Sequence, residues 1–427
     1  MLRLTYSLLL LLATPLILLR LLARGLRQRG YWQNVGERWG RYSQGALRNS
    51  LWIHAVSVGE MRAAQPLINR LRSDYPGRPI VVSCMTATGR EIAHELYADT
   101  VVCIYLPYDF FRLQRRFIAH FRPSVLLIME TEIWPNLLAA CGAENVPAML
   151  VNGRLSEKSR RGYARFAPVR ALTRDALQSL RAVAAQSAAD AGRLASLGAY
   201  NLFVTGNIKF DVSVDPSLVA RGRLWRTASG ENKRVLLAAS TREGEEKLLL
   251  DAYRKEFPAD ERAHLLLVLV PRHPQRFDAV RQLIQMAVLS SRRRSTMETP
   301  PADVEVWLGD SMGEMAAYIA MCDVAFIGGS LLPLGGQNLI EACAQGKPVV
   351  MGPSTYNFSD AARLAIEAGA MWQGEDAGAV MRAARELLQN EAMRMSASRA
   401  ALAFAGAHAG ATEKTMGLLA PLLRGTD

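Results

Sequence analysis

Three glutamates and a lysine in the first half of the chain stand just beyond short apolar runs, where polar side chains can do chemistry. In WIHAVSVGEMRAA the run from Trp52 to Val56 gives way to Ser57, Val58, Gly59 and Glu60, and a helical pattern resumes at Met61. A carboxylate at such a turn can take the proton from a hydroxyl, and Gly59 leaves the backbone open for close approach. The competing role for Glu60 is a first-turn acid complementing the helix dipole. A second acidic turn, Glu130 to Pro135, follows VLLIM. Its Glu130 and Glu132 either form a surface pair or cap the helix opening at Pro135, yet a carboxylate directly after a buried run is costly unless partnered. Lys209, in TGNIKFD, is a candidate partner or anion clamp, with a solvated linker lysine as the alternative. His54, inside its apolar run, reads as a core histidine.

In the second half, VLVPRHPQRF places Arg272 and His273 directly after an apolar run, with Arg276 one turn on. The segment IGGSLLPLGGQNLIEA sets Gly328, Gly329, Gly335 and Gly336 in a loop leading to a helix near Asn338. Such a loop exposes backbone N–H groups suited to a phosphate. The spacing is not a dinucleotide fingerprint, and no Walker A sequence occurs. Glu341, inside that helix, suits a ribose diol or is a solvated helix acid. Gly309 to Gly313 has the form G-x-S-x-G after an apolar run, the context of a serine-hydrolase elbow at Ser311. The glycine run of an oxyanion hole is missing and only His408 follows as a base, so a serine esterase is the lesser reading.

Strands and helices must alternate to bring these residues together. Apolar runs at 51–56, 80–84, 101–105, 125–129, 148–151, 183–186 and 202–205 are separated by helix-length segments such as 61–74. Runs at 235–239, 265–270, 304–308, 324–327 and 348–351 repeat the theme, with helices expected over 243–253, 315–321 and 339–345. This is the α/β pattern of right-handed crossovers and parallel sheets covered on both faces. Periodicity lapses at 211–233, a polar stretch with Pro216 and Gly230 that reads as a linker. The expected organisation is a membrane anchor at 1–24, an N-terminal domain at 25–210, the linker, and a C-terminal domain at 234–427. Two doubly wound, Rossmann-like domains would face each other across a cleft and bind ligands at the carboxyl ends of their strands.

Composition narrows the classes. With 427 residues, 50% hydrophobic and 21% charged, the chain suits a folded, mostly soluble body of two or three domains. Five scattered cysteines, none in C-x-x-C spacing, and six histidines without ligand spacing argue against disulfides and a metal centre. Residues 1–50 hold eight arginines against Glu37 alone, +7 of the formal +12. Arginines beside an apolar run suit anionic lipid rather than nucleic acid, for which no binding signature appears. From Leu4 to Ala23 the chain reads LTYSLLLLLATPLILLRLLA, a length of helix that matches a bilayer core. The arginines after it place the body on the cytoplasmic side by the positive-inside rule, whether the helix spans or lies along the interface.

Taken together, HAVSVGE (54–60), YLPYD (105–109), METEIWPN (129–136), TGNIKFD (205–211), STREGEE (240–246), LVPRHPQRF (269–277), LGDSMGEM (308–315), FIGGSLLPLGGQNLIEA (326–342) and MGPSTYNF (351–358) resemble the bacterial 3-deoxy-D-manno-octulosonic acid (Kdo) transferases. These are membrane-bound glycosyltransferases of the GT-B fold. The resemblance implies inverting transfer of Kdo from the donor CMP-Kdo to the lipid A precursor, lipid IVA, at the cytoplasmic face of the inner membrane in lipopolysaccharide biosynthesis, without a catalytic metal or a cofactor. It maps a catalytic base onto Glu60 and charge-stabilising groups onto Glu130 and Lys209. CMP contacts fall on Pro271 and Arg272, on Met312, Gly313 and Glu314, and on Asn338, Leu339, Ile340 and Glu341. Against it stand two other classes, the esterase built on Ser311 and a membrane-docked nucleotide-sugar binding protein without turnover.

Overall fold

The computed structural model describes residues 2–97, 100–212, 214–230 and 232–424. Met1, residues 98–99, Ser213, Glu231 and residues 425–427, which belong to the expected anchor, domains and linker, lie outside the described residues.

The chain divides into two compact units, one formed by Met1–Asp211 with Ala409–Asp427 and the other by Val212–His408. The first unit carries β1 (Ser50–His54), β2 (Ile80–Cys84), β3 (Val102–Tyr105), β4 (Pro123–Met129), β5 (Ala148–Gly153), β6 (Ala182–Ala185) and β7 (Leu202–Val204). They form one parallel sheet in the order β3-β2-β1-β4-β5-β6-β7. Its helices are α1 (Leu2–Arg27), α2 (Val58–Ala63), α3 (Gln65–Asp74), α4 (Ala87–Tyr97), α5 (Phe111–Phe121), α6 (Pro135–Ala143), α7 (Glu157–Ala164), α8 (Ala167–Gln178) and α9 (Ala188–Ser196). Side chains alternate between the two faces of the sheet. Leu51, Ile53, Val82 and Leu127 pack to one side, and Trp52, Val81, Leu126 and Ile128 to the other. Continuous apolar runs are what a sheet buried on both faces requires.

The second unit holds α10 (Pro216–Ala228), then β8 (Arg234–Thr241), β9 (Leu265–Pro271), β10 (Ser291–Arg293), β11 (Val306–Leu308), β12 (Val324–Ile327), β13 (Val349–Met351) and β14 (Met371–Gln373). This sheet too is parallel, in the order β10-β11-β9-β8-β12-β13-β14. Its other helices are α11 (Glu245–Glu256), α12 (Ala259–Ala263), α13 (Phe277–Met286), α14 (Met315–Met321), α15 (Ile340–Ala344), α16 (Ser359–Glu367), α17 (Ala377–Gln389) and α18 (Glu391–His408). The remaining helix, α19 (Ala411–Arg424), returns to the first unit. Two doubly wound α/β units of this kind make a GT-B-type fold.

Several boundaries differ from those expected. The stretch read as a linker contains α10, capped by the Asp215 carboxylate and packed on α14 through Gly222 and Trp225. With a glycine and one tryptophan as its buried face, it leaves little apolar periodicity to read. Residues 409–424 belong to the first unit, not to the second. Ala411, Met416, Leu419 and Leu423 complete the first unit's core, and Asp211 accepts hydrogen bonds from the Gly410 and Thr412 amides. The helix expected over 61–74 is broken at Ala64, because Pro66 opens a new first turn. Two three-residue edge strands, β10 and β14, are too short to show alternation. All five cysteines are buried, free thiols.

A Cβ added at Gly222 would lie 2.6 Å from Ala320 Cβ and closer still to the Ala317 carbonyl oxygen. Gly222→Ala should therefore lower stability to denaturant by about 1–3 kcal/mol. Leu224→Ala, on the exposed side of the same helix, should change it by less than about 0.5 kcal/mol.

Candidate active site

The strand order reverses between β1 and β4 in the first unit and, centrally, between β8 and β12 in the second. The loops leaving the carboxyl ends of those neighbours diverge and open a crevice, the usual ligand site of a doubly wound sheet. Glu60 follows β1, and Glu130 and Glu132 follow β4, so the three acids meet at the first reversal.

Glu60 lies in the first turn of α2, which begins at Val58, three residues before the expected Met61. Ser57 is the N-cap, its Oγ accepting from the Glu60 amide at 3.4 Å. Ser57 Oγ–H also donates to Glu60 Oε1, and the Val56 amide to Oε2, both at 2.8 Å. The result is a variant of the capping box, with the Val56 amide in place of that of Ser57, and the glutamate is held from both oxygens. The side chain is 8% exposed. Burial pushes the Glu60 carboxyl up to about 7; the bonds from Val56 and Ser57 oppose this, and the charges of Glu132 and Glu130 add to it. Glu60 is thus both the helix-capping acid and a proton acceptor with an affinity near neutral pH.

Glu132 is also pushed up by burial, and Trp134 Nε1 donates to its Oε2 at 2.7 Å. Glu130 takes left-handed backbone angles, φ +56°, as the chain leaves β4. Lys209 Nζ approaches Glu130 Oε1 at 3.6 Å, both side chains being about one-fifth exposed. The pair is partly buried, and its separation of 3.6 Å is long for a direct charge-assisted hydrogen bond. Asn152, at the end of β5 and also left-handed at φ +56°, accepts the Ile208 amide at 3.0 Å, while Asn207 Oδ1 accepts the Lys209 amide at 3.0 Å. Those two asparagines fix the turn that presents Lys209. His54 is a core residue: its Nδ1 lies 2.9 Å from Ser83 Oγ, and burial lowers it to about 4, leaving it neutral.

At the second reversal Glu245 is fully buried and accepts backbone amides from Arg242 (2.9 Å), Gly329 (2.6 Å) and Leu331 (2.9 Å). It ties the loop after β8 to the glycine loop after β12. The two run so close that a Cβ on Gly328 would lie 2.7 Å from the Ser240 carbonyl carbon. Pro271 ends β9 buried, and the Arg272 amide donates to the Thr241 carbonyl at 2.9 Å beside this crevice. Met312 is 55% exposed, Gly313 is left-handed, and Glu314 is held by Arg221 (2.7 Å) and Arg294 (3.0 Å). Burial would raise the Glu314 carboxyl, but hydrogen bonds from Ser311, Arg294 and Arg221 outweigh it and hold it below the usual range. Asn338 Oδ1 accepts the Ile340 amide and its Nδ2 donates to Glu341, both at 3.0 Å. Leu339 and Ile340 point into the core, so their side chains offer a ligand nothing. The helix expected to supply a positive end there, α15, is five residues long, which leaves little dipole. Ser311 Oγ sits 2.7 Å from Tyr318 Oη, and His408 Nδ1 lies 2.8 Å from the Phe404 carbonyl of its own helix. Ser311 thus has a tyrosine and Glu314, not a histidine, as its hydrogen-bond partners.

Residues 33–212 match the family model for 3-deoxy-D-manno-octulosonic-acid transferase (kdotransferase). Over 95% of its length the chain is 42% identical to a 3-deoxy-D-manno-octulosonic acid transferase of Bordetella pertussis, covering 96% of that protein. The chain belongs to the Kdo transferase family. A second relative, the enzyme of the same name from Haemophilus influenzae, is 35% identical, with 99% of each chain covered. As a family member the chain is a glycosyltransferase that transfers Kdo in lipopolysaccharide biosynthesis. Among solved structures, a UDP-GlcNAc 2-epimerase from Neisseria meningitidis aligns with TM-score 0.55 at 14% identity over 87% of this chain and 100% of its own. A glycosyltransferase from Rickettsia africae aligns with TM-score 0.53 at 13% identity over 90% and 99%. At such identities these two share the fold alone.

For the Kdo transferase chain, the elevated Glu60 sets a pH dependence. If transfer needs the carboxylate, kcat/KM should fall about tenfold per unit below pH 7 and level off above it. Stability runs the other way. In the unfolded chain Glu60 ionises near 4.5, so its contribution is complete below that pH and is lost as pH rises to about 7. Glu60→Gln should abolish the acid limb of the rate profile and flatten this part of the stability curve, as pH-rate measurements and denaturant titrations would show.

Proposed function

We propose that the chain moves Kdo from CMP-Kdo to the lipid A precursor lipid IVA, with inversion, at the cytoplasmic face of the inner membrane. The reading is carried by Glu60, a buried carboxylate poised near neutral pH at a strand-order reversal and aimed by Val56 and Ser57. An acceptor hydroxyl oxygen attacks the anomeric carbon of Kdo, its proton passes to Glu60, and the bond from that carbon to the CMP phosphate oxygen breaks with its electrons leaving on CMP. Each carboxylate oxygen of Glu60 keeps a lone pair beyond the bond it already accepts.

Charge develops at two places in this reaction. The sugar centre turns oxocarbenium-like beside its own carboxylate, and the departing phosphate gains negative charge. Lys209, steered by Glu130, supplies a fixed positive group to the first unit's crevice, and Arg272 one to the second's; preorganised charges of this kind stabilise a transition state without reorganising. The nucleotide would take Arg272, the exposed edge of Met312 and Gly313, and Asn338 with Glu341. Glu314 acts on it indirectly, by holding Arg221 and Arg294. A helix long and apolar enough to cross a bilayer, Leu2–Leu26, keeps the enzyme where a lipid acceptor resides, and the arginines following it favour the cytoplasmic side.

Incubating the purified protein with CMP-Kdo and lipid acceptor should release CMP and yield a glycolipid heavier by one or more Kdo residues. An esterase would leave the donor untouched, and a binding protein would return it unchanged. Glu60→Gln should fold, bind CMP normally and transfer Kdo at a rate lowered by about 10²–10⁴. Retention of more than half the wild-type rate would remove Glu60 from the base role. Arg272→Ala should weaken CMP binding by about 1.5–3 kcal/mol in calorimetry.

A further inference from the structure

One surface of the first unit plays no part in the chemistry above. The hairpin of α7 and α8 carries six basic side chains, Lys158, Arg160, Arg161, Arg165, Arg170 and Arg174, against two acids, Glu157 and an exposed Asp175 that stands 4.0 Å from Arg174. Glu157 is already taken by Arg160 and Arg161. At the tip, residues 165–170 read RFAPVR, and every one of them is exposed. Phe166 is 59% and Val169 41% exposed, with the Arg165 guanidinium 5.3 Å from the centre of the Phe166 ring. An aromatic and an aliphatic side chain left in water between arginines have the make-up of an interfacial anchor, with apolar tips for the acyl boundary and cations for the headgroups.

The position of the hairpin points the same way. α8 touches α1, whose Leu4, Leu8, Leu12 and Leu16 are all more than half exposed. α1 is itself docked on this unit, since Tyr6 donates to Asp109 at 3.1 Å and Asn136 to Ser7 Oγ at 3.0 Å. The other end of the hairpin reaches the acid crevice. α7 begins just after Arg154, whose carbonyl accepts from Thr131 Oγ1 between Glu130 and Glu132. We infer that the α7–α8 tip is a second membrane-docking element, in which Arg165, Arg170 and Arg174 bind anionic lipid headgroups while Phe166 and Val169 enter the interface beside α1. A single anchoring helix leaves the body free to swing about its axis; a second contact beside it removes that freedom and holds the β1 and β4 ends in one orientation to the lipid. A nucleic acid would match the charge but not the exposed apolar tip or its adjacency to α1. The inference shares with the proposed function only the premise that the chain sits at a bilayer.

The test uses the full chain reconstituted into vesicles. Ala167→Cys, next to Phe166, takes a fluorophore selectively because the five native cysteines are buried. Ser73→Cys on α3, which packs on the opposite face of the sheet, serves as the control. With a quencher carried on the lipid, the label at 167 should be quenched in phosphatidylglycerol-containing vesicles and much less in pure phosphatidylcholine, and the label at 73 in neither. Each arginine near an anionic surface is worth about a fivefold shift in the contact equilibrium, so replacing Arg165, Arg170 and Arg174 together by glutamine should weaken it about a hundredfold. Equal quenching in both lipids, quenching untouched by the triple variant, or no quenching at all would overturn the inference. Release by inorganic phosphate at constant ionic strength would also overturn it, because it would mean a discrete anion site. The quenching result stands whether or not the wild type transfers Kdo.

Discussion

Two buried glutamates, Glu60 beside the β1/β4 reversal and Glu245 beside the β8/β12 reversal, tie down the loops on which both candidate sites are built. A doubly wound sheet sends its right-handed crossovers to opposite faces on either side of such a point, and the loops there part before they can satisfy one another's backbone groups. Glu60 takes up the Val56 amide at the first crevice. At the second, Glu245 takes up three amides from two loops. A carboxylate suits the position because each oxygen accepts more than one bond, and burial strengthens every bond it makes.

The difference between the two explains the division of labour. Glu245, held by three backbone donors and cut off from solvent, is structural, and it ties down the glycine-rich loop. Glu60 accepts one amide and one hydroxyl, retains a little exposure, and stands near two further acids. Its proton affinity rises because burial outweighs its two donors. A third backbone donor would hold the same side chain ionised, so the sparseness of its bonding is what leaves its proton affinity near neutral pH.

Most of the architecture was legible in the sequence because buried parallel strands leave uninterrupted apolar runs, and the runs at 80–84 and 324–327 coincide with β2 and β12. Elements whose burial does not come from apolar periodicity stayed hidden. α10 buries a glycine and a tryptophan, and β10 consists of a serine and two arginines at the sheet edge. Within the sites, Glu60, Glu130, Glu132 and Lys209 were visible because they directly follow runs. The Ser57-x-x-Glu60 spacing is a capping-box signature that could have placed Glu60 inside the helix. Asn152, Glu245, Arg221 and Arg294 were not visible, since each acts on a residue distant in sequence. Leu339 and Ile340 entered by resemblance, and their burial shows that a motif position need not present its side chain.

The return of α19 to the first unit has a consequence for how the protein is made. Ala411, Met416, Leu419 and Leu423 are part of the core that also contains Leu51, Ile53 and Leu127, and Asp211 caps the backbone at Gly410 and Thr412. During synthesis the first unit therefore waits, with α1 already emerged and one face of its sheet incompletely covered, while all of the second unit is translated. At about 5–20 residues per second, the nearly 200 residues between Asp211 and α19 take roughly ten seconds or more. The second unit can fold without interruption, whereas the first is an open intermediate until α19 has been made. Early capture of α1 by a membrane, as the proposed attachment implies, would keep that intermediate from meeting its own kind.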